Sequence, residues 1–244
     1  MRTFTELGCM IFAVYVMYAG CVKHSGKISE NIKTSASNLT IDPKVKAGKL
    51  PNGFRYVIRS NTKPENRSEL RLVVDVGSVL EDETQQGLAH FVEHMAFNGT
   101  ENFHKQELVD YLELVGMRFG PDLNAYTSFD ETVYMLQIPM DSTIVIDTAM
   151  QILLDWAQGI KFDSEEIEKE RGVVVEEWRL GQGAKRRMFN QQLPLLLQGS
   201  RYAHRLPIGQ KAVLDTFSHE TLKTFYRTWY RPELMSFVAV GQFE

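Results

Sequence analysis

The stretch His90-Phe91-Val92-Glu93-His94 constrains this chain more than any other part of it. An α-helix turns about 100° per residue, so with His90 at zero His94 lies near ~40° and Glu93 near ~300°. Two imidazoles and a carboxylate therefore share one side. Leu88, Phe91, Val92 and Met95 fall between about 100° and 200° on the same wheel. The segment predicts an amphipathic helix that packs through one face. The other face offers two neutral nitrogens, enough to begin a zinc site, with a base beside them. Such a spacing arises by chance in about 1% of chains of this size, but chance matches need not segregate apolar and metal-binding residues onto opposite faces.

Two histidines leave a catalytic zinc site incomplete, because such sites take three protein ligands and keep one position for water. The candidate donor lies between Asp163 and Trp178, a second predicted helix. Asp163 with Glu166 three residues later resembles a capping box, and acidic residues crowd the first turn, where the helix dipole favours them. With Glu170 at zero, Ile167, Val173, Val174, Trp178 and Leu180 span about 280° through zero to about 80°. Glu170 and Glu177 fall in the middle of that stripe, whereas Glu168 and Glu176 point elsewhere. A carboxylate on a buried stripe is costly unless paired or bound to metal. Either the two helices pack so that a glutamate completes the histidine site, or both glutamates pair with nearby Arg or Lys.

Three motifs in order now carry a resemblance: Gly87 to Thr100 (GLAHFVEHMAFNGT), Asp122 to Tyr134 (DLNAYTSFDETVY) and Glu168 to Trp178 (EKERGVVVEEW). From about Leu50 to its end the chain resembles the pitrilysin/insulin-degrading-enzyme family of zinc metallopeptidases, whose motif inverts the commoner H-E-x-x-H order. The long bacterial periplasmic zinc proteases look like the closest branch. The resemblance implies one Zn2+ per domain held by His90, His94 and Glu177, with Glu93 as general base and Glu170 as a carboxylate orienting a ligand histidine. It also implies that Asn124 and Ala125 lie on an edge strand that aligns a peptide or small protein substrate; spacing alone reads them as the start of a strand after the Gly120-Pro121-Asp122 turn. Family members pair homologous halves around a chamber, so a second half, in the same longer chain or a partner subunit, is expected for full activity. Alternatives are a non-catalytic structural or binding member of the fold, and a lipid-anchored protein with structural zinc. The latter would normally need a fourth protein ligand.

The N-terminus differs in kind. Leu7 to Ala19 is apolar but shorter than the ~20 residues of a spanning helix. It suits an export signal with Arg2 as its positive start. Tyr18-Ala19-Gly20-Cys21 resembles a bacterial lipoprotein cleavage box, which makes Cys21 the expected site of lipidation and membrane attachment. Plain secretion, a membrane anchor or no export are the alternatives. Residues 1–21 thus read as an export signal, 22–45 as a polar linker and 46–244 as the peptidase domain, with the last residues reading as a strand in mid-domain. The expected location is the periplasm or a membrane of a bacterium. Cys9 and Cys21 are the only cysteines, so the folded part has no disulfide. A net charge of −4 and the lack of a basic run give no hint of nucleic-acid binding, and no nucleic-acid partner is expected.

The coarse pattern interleaves strands and helices. Extended segments are predicted at Phe54–Ile58, Leu70–Val79, Thr132–Ile138 and Leu234–Val240. Helices are predicted from His90 to a stop at Asn98-Gly99, then over Glu107–Val115, 142–158, 163–181, Gln191–Gln198 with Pro194 in its first turn, and His219–Trp229. This predicts an α+β fold with helices packed on one face of a mixed, mostly antiparallel sheet. His24, His104, His204 and His219 have no partner at ligand spacing.

Overall fold

The computed structural model describes residues 41–114, 117–118, 120 and 122–243. The export signal, Cys21 and most of the linker lie outside the described residues. A compact unit begins at Pro43. Its six strands are β1 (Val45–Lys49), β2 (Arg55–Ser60), β3 (Arg67–Val74), β4 (Leu123–Thr127), β5 (Thr132–Pro139) and β6 (Met235–Gly241). They form one sheet in the order β1-β2-β6-β3-β5-β4. Only β2 and β6 run parallel; every other neighbouring pair is antiparallel. The sheet is mixed and mostly antiparallel, as the pattern of elements implies.

Register decides which side chains meet the helices. Leu70 stands opposite Leu136 and Ala239, and Leu72 opposite Tyr134 and Phe237. Leu70, Leu72, Val74, Tyr134, Leu136 and Ile138 are all buried, each large side chain contributing about 1.5–3 kcal/mol. Ala125 and Thr127 of β4 fall on the same face, because they pair with Tyr134 and Thr132. That face is packed by α1 (Leu88–Met95) and α3 (Thr143–Gln158). Between them in the chain lies α2 (Lys105–Leu114); α4 (Ser164–Leu180), α5 (Ala184–Leu196), α6 (Lys211–Leu214) and α7 (His219–Trp229) follow α3.

Several boundaries differ from the sequence reading. The Leu70–Val79 alternation outlasts its strand: β3 ends at Val74 and a short 3-10 turn covers Ser78–Leu80. Val76 and Ser78 remain buried although their backbone has left the ladder, so the pattern reported burial rather than pairing. Gly77 lets the departing chain pass close to the Phe129 carbonyl oxygen, which a Cβ there would approach to 2.4 Å. The helix expected at Gln191–Gln198 starts at Ala184, directly after Gly183, and Pro194 sits in its last turn rather than its first. Leu193 is its only fully buried residue, so it has little apolar periodicity to read. Val45–Lys49 carries no strand signature of its own and forms by pairing with β2.

Candidate metal centre

Helix α1 begins without a side-chain cap of its own; Gly87 occupies the capping position with φ of 106°. The unpaired N–H groups of the first turn go instead to Glu81, whose carboxylate accepts from Gly87 N at 3.0 Å and Ala89 N at 2.8 Å. Glu81 is fully buried. Burial pushes its carboxyl up to about 8, against the opposing pull of the two N–H groups and the Arg205 charge. Gly209 presses on the same turn so closely that a Cβ would lie 2.4 Å from the Gln86 carbonyl oxygen. On its other side α1 buries Leu88, Phe91, Val92 and Met95 completely, as its wheel predicts. The Phe91 ring meets Phe217 edge-on at 4.8 Å. Arg171 of α4 lies over Phe217 at 3.9 Å and donates to the Leu214 and Phe217 carbonyls. The helix bearing the histidines and the helix bearing Glu177 are thereby tied through one loop.

The result is a three-donor cluster. His90 Nε2 and His94 Nε2 are 3.1 Å apart, and Glu177 Oε2 lies 3.7 Å from the first and 3.5 Å from the second. Donors at about 2.0–2.2 Å from a tetrahedral zinc stand about 3.3–3.6 Å from one another. The three separations bracket that range, so the donor set fits the ion in both spacing and chemistry. Among the described residues, this is the one group of three or more His, Cys, Asp or Glu side chains close enough to hold a metal. The alternative, with both glutamates paired to Arg or Lys, is not what the fold produces.

Behind the cluster, Glu170 Oε1 faces His94 Nδ1 at 2.7 Å, and its Oε2 accepts from Asn98 Nδ2 at 2.8 Å. Asn98 Nδ2 also reaches the His94 carbonyl at 3.0 Å. A carboxylate can only accept here, so His94 Nδ1 carries hydrogen and its Nε2 is turned toward the cluster. Burial raises Glu170, but hydrogen bonds from His94 and Asn98 outweigh it and hold the carboxyl below its ordinary range. Burial likewise opposes charge on His94, yet the hydrogen bonds to Glu170 and Glu177 lift it to about 9. His90 is driven the other way by burial and by the His94 charge.

Glu93 is buried beside the cluster and accepts a hydrogen bond from Thr127 Oγ1 at 2.7 Å. Burial raises its carboxyl, with Thr127 and His94 opposing. Asn124 is exposed on β4, and its Oδ1 takes the Ala125 N–H at 2.9 Å; neither residue belongs to the metal cluster. The predicted apolar stripe of α4 is only partly buried. Ile167, Glu170 and Val174 are buried, but Val173 and Leu180 are exposed, and the Glu177 side chain is half exposed. The contact of α4 is narrower than its apolar stripe, so Glu177 stands at the margin, open to the cluster and to solvent. Sequence reasoning missed Glu81, Asn98 and Thr127 as contributors. Asn98 carried a helix-stop signal and Thr127 lay within a recognised motif, whereas Glu81 carried no signal.

A family model described as Insulinase (Peptidase family M16) matches residues 56–194. The chain belongs to that family. It is 39% identical over 208 residues to the probable zinc protease PqqL of Haemophilus influenzae, and 44% identical over 196 residues to a zinc protease PQQL-like protein of Arabidopsis thaliana. These matches cover 85% and 80% of this chain but 22% and 20% of the relatives, so it spans about a fifth of their length. The crystal structure of the first half of the periplasmic protease PqqL from Escherichia coli superposes with a TM-score of 0.81 at 39% identity, covering 84% of this chain and 44% of that one. The α+β architecture is therefore that of known insulinase-family structures. No described helix is long and apolar enough to cross a membrane.

Proposed function

We propose that this chain is the metal-bearing domain of a zinc-dependent endopeptidase acting on extended peptides. The observation carrying the reading is the convergence of His90, His94 and Glu177 with the Glu93 carboxyl alongside. His90, His94 and Glu177 would hold the zinc, which when bound supplies Lewis acidity to polarise a carbonyl and lower the pKa of water to about 7. Glu93, one residue from a ligand, accepts the proton of the attacking water and passes it to the departing amine. Thr127 fixes one carboxylate oxygen of Glu93 and leaves the other for that transfer. Glu170, steadied by Asn98, keeps His94 in the tautomer that aims Nε2 at the ion.

Strand β4 supplies the seat for the peptide. The ladder bonds to β5 run through the even-numbered residues, in phase with the flanking bonds from Gln137 N to the Asp122 carbonyl and from Ser128 N to the Glu131 carbonyl, each 2.7 Å. Ala125 and Thr127 therefore turn backbone groups to the open edge, where an extended peptide adds a strand with modest sequence preference. Asn124 Oδ1 already holds the Ala125 N–H, so the Ala125 carbonyl and the Thr127 backbone are the groups left for the peptide. The same strand carries Thr127, so the peptide lies against the element that steadies the base.

The further elements of the reading are a second homologous half for full turnover, export to a bacterial periplasm, and lipid attachment at Cys21, with residues 1–21 as signal, 22–45 as linker and 46–244 as the peptidase domain. The greater length of the relatives and the periplasmic setting of PqqL from Escherichia coli support the first two. A non-catalytic role is disfavoured by the intact ligand set and base. Glu93→Gln in an otherwise competent assembly is expected to keep zinc and lose about 10²–10⁴-fold in hydrolysis, whereas His94→Ala loses the zinc. Cleavage at the normal rate by zinc-loaded Glu93→Gln would overturn the proposal.

A further inference from the structure

A cavity of about 460 Å³ opens between the last turns of α4, the length of α5 and the loop before α6. Its walls include Trp178, the residue after Glu177, and Gln86, which lies in the turn just ahead of the helix that carries His90. Its size is that of a small-ligand or side-chain pocket. Its polar lining is uneven. The Gln86 and Gln182 amides are spent on Glu83 and on the Trp178 carbonyl. Glu83, a carboxylate at the rim, is taken by Arg205 at 2.6 Å. Arg186, Asn190 and Gln210 also line the space, and their side chains have no hydrogen-bond or ion-pair partner among the described residues. Three donor-bearing side chains, one a permanent cation, thus share a concave site whose only carboxylate is already neutralised. A guanidinium flanked by amides matches one chemistry best, a planar carboxylate that accepts several hydrogen bonds at once.

We propose that this cavity binds a carboxylate of the peptide substrate, with Arg186 as the residue that sets the preference. The inference rests on the peptidase reading and deepens it by naming a substrate class: peptides with an acidic group within reach of the cleaved bond. That group is either an Asp or Glu side chain or the peptide's own C-terminus; the chemistry at Arg186 is the same.

The test measures binding of labelled peptides to the zinc-loaded Glu93→Gln protein, assembled with its second half, by fluorescence anisotropy, so no turnover is needed. Three short peptides share one sequence: one with a Gln and an amidated C-terminus, one with Glu in place of that Gln, and one with the Gln and a free C-terminus. At least one acidic form is expected to bind about tenfold tighter than the neutral peptide, the scale of a charge-assisted contact. Which one it is identifies the source of the carboxylate. Arg186→Gln should abolish the difference while leaving the neutral peptide's affinity and the zinc content unchanged. Equal affinity for all three peptides, or a preference that survives Arg186→Gln, would overturn the inference and leave the peptidase reading standing. Failure of every peptide to bind would strike at the peptidase reading and take this inference with it.

Discussion

Loading the metal should expel a proton, and the number expelled follows from the hydrogen-bonded chain behind His94. In the metal-free protein the His94 ring lies between Glu170 and Glu177. Burial opposes its charge, but those two carboxylates hold its proton until about pH 9. His90 is shifted downward and stays neutral. At pH 7 the empty cluster thus retains about one proton, on His94, where an ordinary imidazole with a pKa of about 6.5 would retain about a quarter. Zinc needs the Nε2 lone pair, so binding releases that proton. Apparent affinity then falls about tenfold per pH unit below 9, or about 100-fold at pH 7 relative to its alkaline limit. Isothermal titration of zinc in two buffers of different protonation enthalpy counts the proton directly. A Glu93→Gln background keeps the base carboxyl out of the count. Glu170→Gln should move the release toward a quarter of a proton. Release near zero at pH 7 by the parent protein would refute the idea that the carboxylates hold His94 charged.

The same shift sets the stability of the metal-free chain. His94 has a higher pKa folded than unfolded, so its contribution is full below about pH 6.5 and is lost as the pH climbs through about 9. Urea unfolding in chelator should register a decline of at most about 3 kcal/mol across that window, flattened by Glu170→Gln; a curve unchanged by that substitution would contradict the account. Asn98→Ala frees one oxygen of Glu170 and should weaken zinc binding by about tenfold, measured by competition with a chromophoric chelator; unaltered affinity would remove Asn98 from the network. Glu81→Ala leaves two buried N–H groups of α1 unpaired and should cost about 2 kcal/mol, seen as a fall in Tm of roughly 5 °C; a Tm within about a degree of the parent's would mean that the cap is dispensable.

The helix wheels made much of the site legible because the donor cluster and the packing residues of this protein obey the same periodicity. His90 and His94 converge with Glu177, and Leu88, Phe91, Val92 and Met95 bury as their angles require. The wheel of α4 was less faithful, since it assumes that a whole apolar stripe finds partners, and Val173 and Leu180 find none. Contributions that depend on tertiary meetings were invisible. Glu81 acts six and eight residues beyond its own position, and Thr127 reaches Glu93 only because the sheet register puts it on the helix face. Asn98 was readable as a helix stop but not as a bridge between helices. The first half of helix α5 escaped because a run led by Lys185, Arg186 and Arg187 has almost nothing to bury.

The two margins of the sheet are treated unequally. At one end β1 carries Lys46 and Lys49, cations of the kind that discourage a foreign strand from aligning there. At the other, β4 reads Leu-Asn-Ala-Tyr-Thr, with no charge at all. An uncharged border open to a peptide, as proposed, cannot tell a guest from a sibling molecule. Crowded preparations of this protein should therefore stick to one another through β4 rather than β1, and a lysine introduced at Tyr126 should keep them apart.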